Sequence, residues 1–470
     1  MVKYILKALM RKRDDAMNIT ELETARRIAA GVAAHGGRAY FVGGCVRDEL
    51  LGLESKDIDM EVHGVTPDVL EGILDSVGTR AEFGKSFGIY SIKGTHIDIA
   101  MPRRESATGR GHKDFKIDID PYIGEENAAR RRDFTVCALM KDALTGEVLD
   151  FFGGIRDLKN GVIRHVNDES FAEDPLRVLR AAQFSARFGF SVAEGTLALC
   201  RGMDVSALPR ERIFEELKKA LMGAEKPSVF FEVLRSVSAL DFWFPELRAL
   251  IGVEQNEKHH AEGDVWVHTM MVLDEAAKRR AQAKNPLGLM FSALTHDLGK
   301  ALCTECIDGE IHAYGHENAG VPLAEQFMKR LTNEKALTAY VLNMVKLHMQ
   351  PNAKAAHGSS VKSTNKMFWE SREPGDLILL ALSDAYGKIA PRPFYDTEPF
   401  LHERFEVFRE YMARPYVKGS DLIAAGVEQG TDFSEILAYA QKLRLAGIEK
   451  ESALRQTLAF AGKLRKKTQK

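Results

Sequence analysis

The chain has 470 residues, is 45% hydrophobic and carries a formal net charge of −2. This length predicts about three domains. No apolar run approaches the ~18 residues that a membrane helix needs, and no signal-peptide cleavage site follows the N-terminal stretch, so we expect neither a membrane span nor a secreted protein. Five cysteines without a disulfide spacing predict reduced thiols in the cytoplasm. The near-neutral charge argues against broad, nonspecific coating of DNA.

The first predicted element is an amphipathic helix over residues 20–35, which ends at Gly36 and Gly37. Strand patterns and glycine-rich turns then dominate to about residue 160, which indicates an α/β region. Helical patterns follow to the C-terminus, and nearly all the remaining histidines fall between residues 255 and 395. We therefore divide the chain into five parts: an extension (1–19), a head (20–160), a helical neck (161–252), a histidine-bearing domain (253–395) and a helical tail (396–470).

The most informative stretch lies in the head, where a short apolar strand breaks at Gly43 and Gly44 and a charged, alternating strand follows one helix later. Residues two apart in a strand share a face, so Asp57 and Asp59 point the same way. Two adjacent like charges are unfavourable unless a cation lies between them, and carboxylates suit Mg²⁺ bound together with substrate phosphates. The glycine pair lets the backbone approach phosphate oxygens, and Arg47 can add a charge-assisted contact.

This stretch resembles the active-site signature of the nucleotidyltransferases that include DNA polymerase β. Its detail, GGxVRD followed by KDIDM, is similar to the branch of bacterial tRNA CCA-adding enzymes and poly(A) polymerases. A second match is RRDFT, for which the family pattern is RRDFTxNA. The resemblance implies that Arg131, Arg132 and Asp133 contact the ribose and phosphates of the nucleotide. Cys137 departs from the pattern, because the family usually has asparagine there, and so removes an amide with two kinds of hydrogen bond.

A polar, glycine-bearing segment between the two motifs, from Pro102 to Lys113, has the composition of a mobile loop. CCA-adding enzymes have a flexible loop at this place, which the family links to the switch from C addition to A addition. The resemblance therefore favours an enzyme that adds the full CCA.

The predicted base-reading element begins the neck. Asp174 is expected to cap a helix that starts at Pro175, and Arg177 and Arg180 follow at three-residue spacing along one helical edge. A carboxylate accepts from the exocyclic amino group that both C and A carry, and a guanidinium donates to ring nitrogen or carbonyl. The match to the EDxxR signature of class II CCA-adding enzymes implies that Asp174 and Arg177 select CTP and ATP. Gln183 departs from the family, which usually has arginine there.

A second set of polar residues falls on helical stretches of the C-terminal half: His268, His296-Asp297 within LTHDLGK, His316, His348 and Asp384. Imidazole and carboxylate ligands together suit a divalent transition metal such as Ni²⁺, Mn²⁺ or Co²⁺. The set resembles an HD phosphohydrolase domain with four core ligands, namely His268, His296, Asp297 and Asp384. In that case His316 and His348 could ligate a second metal or contact phosphate, and a metal-activated water would attack phosphate esters.

Together the motifs resemble a CCA-adding enzyme with a fused HD domain. The resemblance implies an α+β, predominantly helical protein, with a polymerase-β-type nucleotidyltransferase α/β head followed by an all-helical neck, HD domain and helical tail. It also implies Mg²⁺ on Asp57 and Asp59, and CTP, ATP and the tRNA 3′ acceptor end as partners, with no membrane and no DNA. A CC-adding or A-adding enzyme, or a poly(A) polymerase with the HD domain as a scaffold, stays open. The order of the two domains argues against an alarmone synthetase/hydrolase.

Overall fold

The computed structural model describes residues 19–55, 57–82, 88–107, 115–389 and 396–468. The fold is α+β and predominantly helical. It divides into two compact units. The first comprises the described residues up to Ala207 with Val233–Ser238, and the second comprises Leu208–Glu232 with the described residues from Ala239 onward. The finer division into five domains stays a prediction.

A seven-stranded sheet forms the centre of the first unit, in the order β3-β4-β5-β2-β1-β8-β9. Strand β1 pairs antiparallel with both β2 and β8, whereas β2 and β5 run parallel. The parallel pair sets Asp59 directly opposite Asp98. The sheet strands are β1 (Arg38–Val42), β2 (Ile58–His63), β3 (Arg80–Glu82), β4 (Ile89–Ile92), β5 (Ile97–Ala100), β8 (Met140–Asp142) and β9 (Val148–Leu149).

Two small ribbons accompany this sheet. Strands β6 (Arg103–Ala107) and β7 (Phe115–Ile119) form an antiparallel pair, and β10 (Val162–Ile163) pairs in parallel with β11 (Ser191–Val192). The prediction of a loop from Pro102 was therefore wrong for Arg103–Ala107, because pairing with the next strand, Phe115–Ile119, supplies backbone hydrogen bonds that the polar composition does not reveal. The rest of that predicted loop, residues 108–113, lies outside the described residues.

Eight helices among the described residues belong wholly to the first unit: α1 (Ile19–Ala34), α2 (Gly44–Leu50), α3 (Pro67–Val77), α4 (Glu125–Arg130), α5 (Gly154–Asn160), α6 (Asp168–Ala172), α7 (Leu176–Phe188) and α8 (Glu194–Arg201). The N-terminal amphipathic helix predicted from the sequence is confirmed as α1, whose Ala25, Ile28 and Val32 are fully buried. Burial of one apolar stripe is what holds such a helix on the unit.

The second unit is built from helices and one hairpin, β12 (Glu305–Ile307) with β13 (Glu310–His312). Its core is rich in large aromatic side chains, such as Trp266, Phe291 and Phe327, all fully buried. No helix of the described ranges is long and apolar enough to cross a membrane. Its helices are α9 (Arg210–Gly223), α10 (Ser228–Ser236, shared with the first unit), α11 (Pro245–Arg248), α12 (Val265–Arg279), α13 (Pro286–Thr295), α14 (Lys300–Cys303), α15 (His316–Leu331), α16 (Lys335–Leu347), α17 (Met349–Ala356), α18 (Val361–Glu370), α19 (Pro374–Tyr386), α20 (Glu398–Ala413), α21 (Gly419–Ala424), α22 (Phe433–Leu445) and α23 (Lys450–Thr468).

Candidate active sites

Three carboxylates meet on one face of the head sheet. Asp57 immediately precedes β2, Asp59 lies within it, and Asp98 stands opposite Asp59 on β5. Partial burial raises the pKa of Asp59, and the nearby charges of Asp98 and Asp57 raise it further. A carboxylate held against two others is stabilised by a cation, so the donor set fits Mg²⁺. The structure therefore places Asp57 and Asp59 together with Asp98, whose strand the sequence also predicts to alternate.

Gly43 lies beside this carboxylate cluster. Its φ of 66° and ψ of −126° suit glycine, and a Cβ added there would lie 3.5 Å from Arg132 Nη1 and 3.8 Å from Asp59 Oδ2. The conformation is strained for any residue with a side chain. Gly44 begins α2, and a Cβ there would lie 3.6 Å from Arg47 Nη2. The predicted glycine pair thus borders both the acids and two arginines.

Arg47 is only 4% exposed. Its Nε donates to Asp48 at 2.8 Å, and the guanidinium lies over the rings of Phe184 and Phe188, at 5.1 and 4.7 Å from their centroids. Its Nη1 also contacts the sulfur of Cys137 at 3.5 Å, so the residue that departs from the family pattern packs against this arginine. These contacts make Arg47 part of the scaffold under the turn. A direct phosphate contact stays a prediction.

The RRD segment connects the carboxylate cluster to the predicted base-reading helix. Arg132 donates to Glu61 Oε2 at 2.9 Å and to the carbonyl of Cys137 at 3.2 Å, and Asp133 Oδ2 accepts from Arg180 Nε at 2.6 Å. Burial raises the pKa of the Cys137 thiol to about 11, and the nearby Asp133 carboxylate adds to the effect. The thiol therefore remains neutral at physiological pH. Ion pairs with Glu61 and Arg180 thus hold the Arg132 and Asp133 side chains in place without a nucleotide.

The helix predicted to read the base, α7, begins at Leu176, one residue later than predicted. Asp174 Oδ1 accepts from the Leu176 backbone N–H at 3.0 Å. Arg177 donates to two backbone carbonyls, those of Ser170 and, at 2.9 Å, Arg131. Arg177 and Arg131 are therefore in direct contact. Gln183, the second departure from the family, is buried, and among the described residues its amide nitrogen has no hydrogen-bond partner.

A second site is built around Asp297 in the second unit. On one side, Asp297 Oδ2 lies 3.2 Å from His296 Nε2 and 3.5 Å from His268 Nε2. His268 Nε2 also lies 3.3 Å from Asp384 Oδ1, which places α12 and α19 on the same side of the cluster. Every one of these side chains is at least 87% buried. The four predicted core ligands thus converge, although they come from three separate stretches of the chain.

The other oxygen of the same carboxylate faces the remaining two histidines. Asp297 Oδ1 lies 3.2 Å from His316 Nε2 and 3.6 Å from His348 Nε2, and the two imidazole nitrogens are 3.3 Å apart. One carboxylate therefore stands between two groups of nitrogen donors. Imidazole and carboxylate groups together are the ligand types that divalent transition metals use.

Backbone carbonyls orient three of the four predicted histidine ligands. The Nδ1 atoms of His296, His316 and His348 lie 2.8, 2.7 and 2.6 Å from the carbonyl oxygens three residues earlier in the chain. A donating Nδ1–H leaves the Nε2 lone pair free for a metal. Within the described residues, the Nε2 atoms of His268 and His296 are buried without a hydrogen-bond partner, and Asp297 Oδ2 has the Lys300 ammonium at 2.7 Å. Buried imidazole lone pairs that face carboxylates are stabilised by a cation between them, so the set fits a divalent transition metal.

Gly299 permits this convergence. A Cβ added to it would lie 2.0 Å from the His316 carbonyl oxygen and 2.6 Å from the Gly320 nitrogen. The HDLGK turn can therefore approach the first turn of α15 only because residue 299 has no side chain. This close approach sets His316 against Asp297.

Two side chains that the sequence reasoning did not include also line the second site. Lys300 Nζ lies 2.7 Å from Asp297 Oδ2 and donates to Gln255 Oε1 at 2.8 Å. Burial alone would raise the pKa of Asp297, but the neighbouring His296 and Lys300 hold it well below its usual range. The three-residue spacing from Asp297 to Lys300 on a turn could have revealed the lysine. No sequence pattern indicates that Gln255 contacts Lys300, because the two residues are brought together only by the fold.

Comparisons with known proteins agree with this geometry. Residues 39–164 match the poly(A) polymerase head domain family, and residues 189–251 match the family described as the probable RNA and SrmB-binding site of polymerase A. A multifunctional CCA protein of Nitrosococcus oceani is 37% identical over 398 residues, which cover 83% of this chain and 93% of that protein. A multifunctional CCA protein of Methylobacillus flagellatus is 43% identical over 299 residues, 63% of this chain and 69% of that protein. The Thermotoga maritima CCA-adding enzyme, solved with tRNA, shares the fold at a TM-score of 0.63 with 19% identity, over 97% of this chain and 98% of that one.

The head sheet, its carboxylates and the head-domain match define a nucleotidyltransferase of the polymerase-β type. The 37% identity to a relative over 93% of its length also identifies the family within that class. The chain belongs to the multifunctional CCA protein family of bacteria.

Proposed function

We propose that this protein adds and repairs the 3′-terminal CCA of tRNA, without a nucleic-acid template, from CTP and ATP. The observation that carries the proposal is the cluster of Asp57, Asp59 and Asp98 beside Gly43 and Arg132. Membership of the CCA protein family supports the choice of tRNA as the acceptor. A cytoplasmic location and the five-part domain division belong to the same proposal.

Asp57 and Asp59 are the residues that would hold Mg²⁺, with Asp98 adjacent. Bound Mg²⁺ would supply positive charge for the triphosphate, the attacking 3′-hydroxyl and the departing pyrophosphate. Gly43 and Gly44 let the chain approach the phosphates, and Arg132 adds a charged donor on the same side. The chain's own contribution is to hold the acceptor 3′-hydroxyl and the nucleotide triphosphate in position for attack, next to the carboxylates.

Base choice is assigned to Asp174 and Arg177. The Asp174 carboxylate can accept from the amino group that C and A share, and the Arg177 guanidinium can donate to ring nitrogen or carbonyl. U and G present a carbonyl where C and A carry the amino group, and would leave the carboxylate without a donor. Arg177 already donates to two backbone carbonyls, so the N–H groups that remain on its guanidinium are the ones that would read the base.

The experiment is incorporation into tRNA transcripts that end before C, after the first C and after the second C, with sequencing of the products. The proposal expects all three to become CCA, with no extension beyond it. Products that stop at CC identify a CC-adding enzyme, and action only on CC ends identifies an A-adding enzyme. A long A tail would instead identify a poly(A) polymerase. Any of these three results overturns the full CCA assignment.

We infer a second, metal-dependent phosphohydrolase activity in the second unit. Its support is the pair of donor groups on either side of Asp297, together with the buried Nε2 atoms of His268 and His296, which lack hydrogen-bond partners among the described residues. His268, His296 and Asp384 would hold one transition metal and His316 and His348 the other, with Asp297 shared. Bound metal would supply an activated water for phosphate esters.

Hydrolysis of 2′,3′-cyclic nucleotides by protein loaded with Ni²⁺, Mn²⁺ or Co²⁺ tests this activity. It should survive Asp57→Ala and disappear in His296→Ala, whereas nucleotide addition should show the reverse. The ligands of the two sites belong to separate units, so each site should fail alone. If no divalent metal confers phosphatase or phosphodiesterase activity, the second unit is a scaffold.

A further inference from the structure

A buried glutamate stands behind the second site and belongs to none of the predicted ligands. Glu262 lies in the loop between α11 and α12, and its side chain is 0% exposed. Asp264 closes this loop, since Oδ2 accepts from the Gly252 N–H at 2.6 Å while Oδ1 caps α12 by accepting from Val267 N–H at 2.9 Å. The loop is thus anchored where it enters the helix that carries His268.

The Glu262 carboxylate accepts three hydrogen bonds, two from imidazoles and one from a backbone N–H. Oε1 lies 3.0 Å from His268 Nδ1 and 2.8 Å from His260 Nδ1, and Oε2 accepts from the Ile389 N–H at 2.9 Å. Of the four predicted histidine ligands, His268 alone rests on a carboxylate, whereas the other three rest on backbone carbonyls. A carboxylate on Nδ1–H fixes the ring's tautomer and makes Nε2 a stronger ligand.

The same carboxylate joins the two elements that meet at one metal position. The Ala261 N–H donates to the Ile389 carbonyl at 2.8 Å, and the Ile389 N–H returns a bond to Glu262. Ile389 follows α19, the helix that carries Asp384, and Asp384 Oδ1 lies 3.3 Å from His268 Nε2. Glu262 therefore links His268 on α12 to the segment that follows α19, the helix that carries Asp384.

We propose that Glu262 is a positioning residue that orients His268 toward Asp297 and Asp384 and thereby sets the affinity of the second site for its transition metal. The proposal rests on the metal site inferred above. Glu262 is not itself a ligand in this account, because the lone pairs facing the two imidazoles are occupied by Nδ1–H donors at hydrogen-bond distance.

Glu262→Gln tests this directly, because a glutamine amide must place an NH₂ against either the imidazole donors or the Ile389 N–H. Ni²⁺ titration of the metal-depleted full-length protein against a chelator measures the affinity. We expect a loss of about 10- to 100-fold, the range for removal of such a partner. The matched control is Glu257→Gln, an exposed residue of the same loop, which should bind Ni²⁺ like the wild type.

A second pair of variants leaves every charged group in place. Ile389→Pro removes the N–H that Glu262 accepts, whereas Ile389→Ala keeps it. We expect weaker Ni²⁺ binding only in the proline variant. Nucleotide addition should be unchanged in all four variants, which reports that the head is intact.

The outcomes separate the two proposals. Wild-type protein that binds no transition metal overturns the second site itself. Wild-type protein that binds Ni²⁺ while Glu262→Gln and Ile389→Pro bind it equally well overturns the positioning role alone. If His260→Ala lowers the number of Ni²⁺ ions bound, then His260, Glu262 and His268 form a metal site of their own, and the positioning role is also wrong.

Discussion

Gly299→Ala should disrupt the second site although it changes the side chain of no predicted ligand. The added methyl would meet two backbone atoms, the His316 carbonyl oxygen at 2.0 Å and the Gly320 nitrogen at 2.6 Å, so α15 must move away from the HDLGK turn. Overpacking of this kind costs about 1–3 kcal/mol. Since each kcal/mol lowers the melting temperature of a unit this large by about 2–4 °C, the expected decrease is about 2–12 °C.

The assay combines calorimetry with Ni²⁺ titration of the same protein. Movement of α15 displaces His316 from its 3.2 Å contact with Asp297, so Ni²⁺ stoichiometry should fall together with the melting temperature. Gly462→Ala is the matched control, because a Cβ at that helical position meets no atom within 4 Å. Unchanged stability and stoichiometry in Gly299→Ala would refute the close-approach argument.

Three further predictions concern single groups. Asp59→Asn should abolish nucleotide addition yet raise the melting temperature of metal-free protein. Burial and the charge of Asp98 raise the pKa of Asp59, so wild-type stability falls as the pH rises through that pKa, and the gain should shrink as the pH falls; an equal or lower melting temperature at neutral pH contradicts this. Arg177→Ala should lose discrimination against UTP and GTP, measured as incorporation ratios, and wild-type ratios would end its assignment to base choice. His348→Ala should lower bound Ni²⁺ from two ions to one by elemental analysis, and an unchanged count would exclude a second ion at that histidine.

Much of both sites follows from short sequence intervals. Asp57 and Asp59 share a face because side chains alternate along a strand, and this holds wherever the strand lies in the sheet. Likewise Asp174 lies at the N-terminus of α7 because proline follows it and a helical pattern begins. The head, the helical half and the family could therefore be predicted from local patterns.

Long-range packing accounts for what the sequence did not reveal. The local motif of Arg47 predicts a phosphate contact and does not reveal that Phe184 and Phe188, far along the chain, pack on its guanidinium. Glu262 lies in a loop without periodicity, and its role depends on His268 and Ile389, whose proximity only the fold determines. Pairing of Arg103–Ala107 with a second strand likewise depends on residues outside the predicted loop.

The most direct test of the central claim is metal-dependent incorporation of labelled CMP and AMP into tRNA that lacks its 3′ end. The wild type and His296→Ala should both restore CCA in the presence of Mg²⁺, CTP and ATP, and Asp59→Asn should not. Incorporation at the wild-type rate by Asp59→Asn, or none by the wild type, would contradict the assignment of the head carboxylates to CCA addition.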